Sequence, residues 1–176
     1  DEIFPTASII KLPVLVELLR SIEKNQLTIY DEMPLTEYYR SEGSGSLQFR
    51  AANSTYTIDK LARMMITESD NSATNMLMAR LGSMTDINSA LREWGLKHTY
   101  VQTWLPDLGG TNHSTARDMA QILYNIDNPK FLSNSSREKI FDYMGHVHNN
   151  RLIAAGLPAG ATFLHKTGDI GKMLGD

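Results

Sequence analysis

A serine and a lysine three residues apart, Ser8 and Lys11, stand at the start of the longest apolar stretch of the sequence. Residues at this spacing lie on one face of a helix, so the Lys11 amine can reach the Ser8 hydroxyl. A serine hydroxyl is a weak nucleophile until a base takes its proton, and a desolvated lysine beside other cations can act as that base. A helix start also offers backbone N–H groups to a developing oxyanion. The pair predicts a nucleophile and its base, although an exposed serine and lysine on a helix surface would show the same spacing.

A second polar group, Ser69-Asp70-Asn71, interrupts a helical apolar pattern that resumes after it. One interpretation is structural, because aspartate and asparagine favour turns and cap the helices that follow them. The other is chemical: the Ser69 hydroxyl relays a proton, and the Asn71 amide holds a substrate carbonyl. The sequence alone leaves both interpretations open.

The third group is Lys166-Thr167-Gly168, at the end of a strand predicted over residues 162–167. A lysine and a hydroxyl at a strand edge can bind a substrate carboxylate, and a glycine lets a ligand backbone approach closely. A strand that runs into a glycine turn would look the same.

Each group is weak evidence by itself, but their order is specific. S-x-x-K, S-D-N and K-T-G in this order are the motifs of class A β-lactamases and penicillin-binding proteins, and the chain resembles that superfamily. The resemblance extends to Phe4-Pro5 before the nucleophile and to Ala155-Gly156-Leu157-Pro158 before the predicted strand. Residues 112–120 resemble the exit from the family's omega loop.

The resemblance implies how covalent chemistry would run. Ser8 would attack the carbonyl of a β-lactam or a D-alanyl peptide and become acylated, with Lys11 as its base or proton relay. Ser69 would pass a proton to the leaving nitrogen. The implied partner is therefore a small-molecule β-lactam or D-alanyl peptide, and no metal or other cofactor is implied.

The resemblance also implies a substrate-binding set. Asn71 would orient the acyl side chain, while Lys166 and Thr167 would bind the substrate carboxylate. The backbone N–H groups of Ser8 and Asp169 would form the oxyanion hole. The Asp169 carboxylate is unexpected there, because it lies close to a site for an anionic substrate.

One stretch departs from the family. Class A enzymes carry an omega-loop glutamate that activates the deacylating water, and residues 104–109 are the matching stretch here. Leu105 stands where the glutamate belongs and Gly109 where its asparagine partner belongs, with Asp107 as the nearby carboxylate. Without a base to activate water, the acyl-enzyme should persist. We therefore expect slow deacylation by a β-lactamase-type hydrolase, or a penicillin-binding or sensor protein that stays acylated.

Composition excludes several other functions. The 176 residues are 41% hydrophobic and 21% charged, which is typical of a globular domain. A net charge of −3 gives no electrostatic case for nucleic acid, and the absence of cysteine removes thiolate chemistry. The apolar stretch 12–19 is too short to span a membrane. The five histidines show no H-x-x-x-H spacing, so a metal site is disfavoured.

Apolar periodicity predicts a mostly helical chain with a single strand. The predicted helices begin near Ser8, at a Thr57 cap, after the S-D-N group as far as Gly82, at a Thr85 cap as far as Gly95, near 116–126, and over 136–144 after a Ser135/Glu138 capping box. Pro13 predicts a bend near the start of the first helix. Segments 31–56 and 102–113 are predicted as loops, and an aromatic of the first loop, Tyr38, Tyr39 or Phe49, could gate the site or simply pack there.

The fold class that follows is α+β, with the β-lactamase/transpeptidase-like fold implied by the resemblance. Residues 1–176 would form one catalytic region, mainly the helical domain plus the K-T-G strand. The family's sheet also uses strands before the nucleophile helix and after the K-T-G strand, so we expect a chain truncated at both ends relative to the family. The resemblance also implies a periplasmic or secreted location.

Overall fold

Helices dominate the computed structural model, which describes residues 2–171 and 173–176. Within these residues the helices are α1 (Lys11–Glu23), α2 (Ile58–Thr67), α3 (Asn71–Leu81), α4 (Met84–Glu93), α5 (Ala116–Asp127) and α6 (Asn134–Met144). Short 3-10 turns occupy Ala7–Ile10, Leu47–Phe49 and Ile153–Gly156. No helix in this part of the chain is long and apolar enough to cross a membrane.

The strands form three antiparallel pairs. β1 (Phe4–Pro5) pairs with β4 (His113–Ser114), β2 (Glu32–Pro34) with β3 (Thr55–Thr57), and β5 (Gly168–Ile170) with β6 (Met173–Gly175). In register, Phe4 faces Ser114, Met33 faces Tyr56 and Asp169 faces Leu174. The architecture is α+β and mostly helical, as the sequence predicts.

The first helix is the centre of the core. α1 packs against α2, α3, α4 and α6, and its side chains Val14, Leu15 and Leu18 are fully buried. A helix surrounded by other helices must be apolar on most sides, which explains its long hydrophobic run, interrupted by Glu17. Pro13 lies in the first turn of α1, where N–H groups have no partner within the helix, so no hydrogen bond of α1 is lost there.

Helix caps define most of the element boundaries. The Thr57 hydroxyl accepts from the backbone N–H of Lys60 at 3.2 Å, which confirms the predicted start of α2. The Gly82 stop is also confirmed: Gly82 ends α3 with φ of 118°, a conformation that favours glycine.

Two predicted caps are wrong by two residues. α4 is capped by Ser83, whose hydroxyl accepts from the N–H of Asp86, and Thr85 lies inside the helix. α6 is capped by Ser133 and not by Ser135. Both true caps have extended backbone (ψ near 160°), which a capping residue requires and which sequence spacing does not reveal.

The predicted strand and the predicted long loop also differ from the structure. Residues 162–167 form no ladder, and the strand begins only at Gly168, because extended backbone becomes a strand only beside a pairing partner. Segment 31–56 instead contains β2, a 3-10 turn and the beginning of β3. It is anchored by Leu35 and Leu47, both fully buried, so the apolar residues within a polar segment hold it on the core.

Candidate active site

Ser8 lies in the 3-10 turn Ala7–Ile10, immediately before α1, and lines a cleft of about 580 Å³. The preceding residue, Ala7, has φ of 45°, a left-handed conformation that is rare for a residue with a side chain. Such backbone costs on the order of 1–3 kcal/mol and persists only where its surroundings impose it. Strain next to the predicted nucleophile supports a functional turn.

Lys11, the first residue of α1, is completely buried and sits at the centre of a polar cluster. Its Nζ lies 3.0 Å from Ser8 Oγ, 2.5 Å from the carbonyl of Ser69, 3.0 Å from Ser69 Oγ and 2.8 Å from Asn71 Oδ1. Burial lowers the pKa of Lys11 well below its ordinary value, and the charge of Lys166 lowers it further, against an opposing effect of Asp70. Burial thus makes Lys11 easier to deprotonate than an exposed lysine.

The hydrogen-bond pattern fits a neutral Lys11. Two neighbours, the Ser69 carbonyl and Asn71 Oδ1, can only accept, and a neutral amine has two N–H groups for them. The lone pair of the nitrogen is then left for the Ser8 hydroxyl, which lies 3.0 Å away and can donate its proton. This geometry can generate a serine alkoxide.

Ser69 occupies the turn between α2 and α3, with φ of 55°. Its hydroxyl oxygen lies 3.0 Å from Lys11 Nζ and accepts from Lys166 Nζ at 3.0 Å. The hydroxyl proton is then free to point into the cleft, which Ser69 lines. A hydroxyl held between two amines can pass protons in either direction, as the sequence-based hypothesis requires.

The structural interpretation of the S-D-N group is confirmed for Asp70, while Ser69 and Asn71 face the Lys11 cluster. Asp70 caps α3 by accepting from the N–H of Ala73 at 2.8 Å. Asn71 faces the cluster: its Oδ1 accepts from Lys11, and its Nδ2 donates to the carbonyl of Glu42 at 2.9 Å. One Nδ2 hydrogen of Asn71 is left for a substrate carbonyl.

Asp70 fastens a neighbouring loop to this turn, a role that the sequence analysis missed. Its second oxygen accepts from the N–H of Leu47 at 2.8 Å, and burial raises the pKa of the carboxyl. Gly45 has φ of 98°, and a Cβ on it would lie 2.2 Å from Asp70 Oδ2, so only glycine allows this approach. The polar start of α3 was the available signal for this cap.

Lys166 closes the cluster from the strand side. It is buried, and its Nζ donates to Ser69 Oγ at 3.0 Å and to the carbonyl of Thr167 at 2.6 Å. Burial lowers the pKa of Lys166 to about 8, against opposing effects of Asp176 and Asp169. Thr167 is buried as well and lines the cleft.

Gly168 explains how the strand approaches the nucleophile. A Cβ on Gly168 would lie 3.0 Å from the backbone nitrogens of both Ser8 and Ile9. Any larger residue would push β5 away from the 3-10 turn. The glycine of K-T-G therefore sets the distance between the two walls of the cleft.

Asp169 lies at the rim, with its side chain 61% exposed. The structure pairs it with Arg151, whose Nη2 is 3.8 Å from Asp169 Oδ2. The sequence analysis identified Asp169 as unexpected in this place but missed Arg151, which is distant in sequence and carries no motif.

The stretch that departs from the family is held firmly by its backbone. Leu105 is buried, its N–H donates to Asn75 Oδ1 at 2.9 Å, and its carbonyl accepts from Asn75 Nδ2 at 2.8 Å. The Ser41 hydroxyl donates to the same carbonyl at 2.5 Å. Leu105 joins the hydrophobic core and does not line the cleft.

The Asp107 carboxylate hydrogen-bonds within its own loop. Its carboxylate accepts from the N–H and hydroxyl of Thr111, at 2.9 and 3.1 Å, and from the N–H of Asn112 at 2.6 Å. It is buried and absent from the cleft wall. Asp107 is therefore a loop-closing residue, and its geometry does not suit a base for water.

The aromatic residues of segment 31–56 separate into two groups. Tyr38 and Tyr39 pack on Trp104, with ring centroids 5.0 and 5.8 Å away. Phe49 lines the cleft and is 82% exposed, so it is the aromatic of this segment that a ligand would meet. His165 borders an apolar groove and bonds Asp176 at 2.8 Å. Among the described residues, no histidine belongs to a group that could hold a metal.

The Ser8 turn, the buried Lys11 and the two other motifs form one polar cluster on an α+β scaffold, an arrangement suited to serine acyl transfer. The model of the beta-lactamase enzyme family matches residues 1–176. The chain belongs to this family.

Solved structures match nearly the whole chain. PBP-A has 39% sequence identity and a TM-score of 0.95, over 99% of this chain and 66% of PBP-A. A leucine-to-glutamate variant of PBP-A, solved as an acyl-enzyme complex with penicillin G, has 38% identity over the same shares. An ancestral class A β-lactamase (GNCA) has 25% identity and a TM-score of 0.90, over 97% of this chain and 68% of that one. The chain thus spans about two thirds of the length of these proteins.

Proposed function

We propose that the protein is a serine hydrolase of the β-lactamase type that opens β-lactams through an acyl-enzyme on Ser8 and hydrolyses that intermediate slowly. The observation that carries this proposal is the buried Lys11 amine, 3.0 Å from Ser8 Oγ and 3.0 Å from Ser69 Oγ. Family membership and the similarity to PBP-A and to an ancestral class A β-lactamase support it.

Acylation would use the cluster as follows. The neutral Lys11 amine takes the Ser8 proton as Ser8 Oγ bonds to the β-lactam carbonyl carbon. The ring C–N bond then breaks, and the nitrogen takes the hydroxyl proton of Ser69, which regains one from Lys11. Each proton moves across a contact of about 3 Å, within reach for general acid–base catalysis.

Substrate recognition would divide between the two sides of the cleft. Lys166 and Thr167 bind the substrate carboxylate, and the remaining Nδ2 hydrogen of Asn71 takes the acyl side chain's carbonyl. The backbone N–H groups of Ser8 and Asp169 bind the oxyanion. The 3.0 Å clearance over Gly168 keeps the second of these donors close to Ser8.

Slow deacylation is expected because residues 104–109 offer no free base to the cleft. A water over the ester needs a base within hydrogen-bond reach. Leu105 has no such group, and the Asp107 carboxylate is already bonded to Thr111 and Asn112. Fast deacylation would therefore need a carboxylate or another base that reaches the ester.

A second candidate is a D,D-peptidase-like penicillin-binding protein or a β-lactam sensor, which would stay acylated. The 39% identity with PBP-A favours it, as does the acyl-enzyme captured with penicillin G in a variant of that protein. Its natural substrate would be a D-alanyl peptide. Both candidates imply a periplasmic or secreted location, where β-lactams and such peptides occur.

A time course of intact mass separates these candidates. The full-length protein is mixed with excess penicillin G, and the adduct is followed until the free drug is gone. A stoichiometric adduct that decays slowly supports the hydrolase, and one that does not decay supports the penicillin-binding or sensor candidate. If no adduct forms under any condition, the proposed acyl chemistry is wrong.

A further inference from the structure

Two opposite charges stand together on the cleft rim outside the Lys11 cluster. Arg151 and Asp169 both line the cleft, and the Arg151 Nη2 lies 3.8 Å from Asp169 Oδ2. Their side chains are 79% and 61% exposed, so both charges face the solvent through which a substrate enters.

Asp169 poses an electrostatic difficulty at this place. It follows Lys166 by three residues, and Lys166 with Thr167 is the proposed site for the substrate carboxylate. A carboxylate on the rim repels an incoming anion by about 1 kcal/mol at 4 Å in water, and by more where the cleft excludes solvent. The same charge raises the pKa of Lys166 and so helps to keep that amine protonated. Asp169 thus both supports and opposes anion binding.

Arg151 has the position and charge to cancel the repulsion between Asp169 and an anionic substrate. Among the described residues that line the cleft, the carboxylates are Glu68 and Asp169, while Arg151 carries the one guanidinium. The Ser46 hydroxyl donates to the Glu68 carboxylate at 2.6 Å, and Arg151 is the cation beside Asp169. At 3.8 Å the contact between Arg151 and Asp169 is a charge pair and not a bidentate hydrogen bond, so it acts mainly through its field.

We propose that Arg151 determines the specificity of the cleft for anionic substrates by neutralising Asp169, an inference that rests on the proposed acylation of Ser8. With Arg151 present, the rim is close to neutral and a carboxylate reaches Lys166 without repulsion. Without it, Asp169 disfavours anionic substrates and leaves neutral ones unaffected. Arg151 is a positioning residue in this account, because it acts through Asp169.

The test compares second-order acylation rates of the full-length protein with benzylpenicillin and with its uncharged methyl ester. The variants are Arg151→Gln, Asp169→Asn and their combination. The assay runs at pH 6.0, about two units below the pKa of about 8 for Lys166, so that this amine stays charged in every variant. Arg151→Gln should slow acylation by benzylpenicillin about five-fold, the effect of an exposed charge pair. The ester's rate should change less than two-fold.

The combined variant is the decisive measurement. Adding Asp169→Asn to Arg151→Gln should restore the benzylpenicillin rate to within about two-fold of the parent, because the negative charge that Arg151 neutralises is then absent. Arg92→Gln removes an equal charge from α4, outside the cleft, and should change neither rate. Glu68→Gln, in place of Asp169→Asn, should restore less.

Several results would overturn the inference. It fails if Arg151→Gln leaves the benzylpenicillin rate unchanged or slows the ester equally. It also fails if the combined variant stays slow, because Arg151 would then bind the substrate directly. If Glu68→Gln restores the benzylpenicillin rate as well as Asp169→Asn does, the effect would come from the net charge of the cleft and not from the Arg151–Asp169 pair. If the parent protein is never acylated, the proposed function fails and this inference with it, whereas acylation that is insensitive to Arg151 refutes the inference alone.

Discussion

The two walls of the cleft are built in different ways. The helix-side wall exposes Ser8 and Ser69 to the cleft, with Lys11 of α1 and Asn71 of α3 buried behind them in the helical core. The strand-side wall carries residues 166–169, which lead into β5, and among the described residues β5 has β6 as its partner strand. The residues before β5, 161–167, form no regular element.

Few bonds hold the strand-side wall. The N–H of His165 donates to the Met144 carbonyl at 3.3 Å, and Lys166 reaches Ser69. Behind the wall lies an apolar groove of about 880 Å³, lined by residues near both ends of the chain such as Phe4 and Leu174. The comparison teaches that the proposed nucleophile and base belong to the helical core, whereas the proposed carboxylate-binding residues lie on a less supported segment before β5. Substitutions on the two walls should therefore affect different steps.

The largest effect is expected at the nucleophile. Ser8→Ala should abolish the covalent adduct with penicillin G, because the other cleft serine beside the Lys11 amine, Ser69, is also held by Lys166 and is proposed to relay protons. Ser69 is held by two amines as a relay. Ser44→Ala removes another hydroxyl from the cleft wall and should leave the adduct intact. An adduct on Ser8→Ala, found by intact mass, would move the chemistry to a different residue.

The next largest effect is expected in deacylation. If the loop directs the new carboxylate toward Ser8, Leu105→Glu should speed decay of the acyl-enzyme by roughly 10²–10⁴-fold, the usual contribution of a positioned base. The bonds from Asn75 and Ser41 hold the backbone at this position in place. Single-turnover decay of the adduct measures it, with thermal denaturation to show that the variant folds.

Leu105→Gln is the matched control, because glutamine has the shape of glutamate but no basic carboxylate. Its acyl-enzyme should decay at the rate of the parent's. The parent itself should show a stoichiometric burst followed by slow turnover. Fast steady-state hydrolysis without a burst would mean that another group already activates water, and the contrast between fast acylation and slow release would disappear.

A smaller effect is expected on the strand-side wall. Lys166→Ala should slow acylation by carboxylate-bearing β-lactams about 10- to 150-fold, because a charge-assisted hydrogen bond worth roughly 1.5–3 kcal/mol is lost. Lys166 also contacts Ser69, so the methyl ester is needed to isolate carboxylate binding, and it should be slowed less. Equal slowing of acid and ester would assign Lys166 to the proton relay alone.

The smallest effect is expected from pH. The pKa of Lys166 is lowered to about 8, so its ammonium is present below that pH and lost above it. From pH 7 to pH 9 the acylation rate with benzylpenicillin should fall up to about ten-fold relative to the methyl ester, following the charged fraction. A ratio that does not change with pH would show that substrate recognition does not use this charge.

Local signals predicted much of the framework. Thr57 and Gly82 bound their helices as expected, since a cap is a contact within a few residues of chain. The α+β class and the family also followed from sequence, because motif order and spacing encode a shared arrangement. The wrong caps at Thr85 and Ser135 mark the limit of this reasoning: several polar residues near a helix start can cap it, and the backbone conformation decides which one does.

Other features depended on the tertiary structure. The sequence by itself indicated Ser8 and Lys11 as partners, since they are three residues apart on one helix face, and it placed the second and third motifs in the right order. Only the fold brings Ser69 and Lys166, 97 residues apart, to 3.0 Å, commits Asp107 to its own loop, and sets Arg151 beside Asp169. The physical reason is range: helix periodicity and capping act over a few residues, whereas burial, which lowers the pKa values of Lys11 and Lys166, requires the packed core around them.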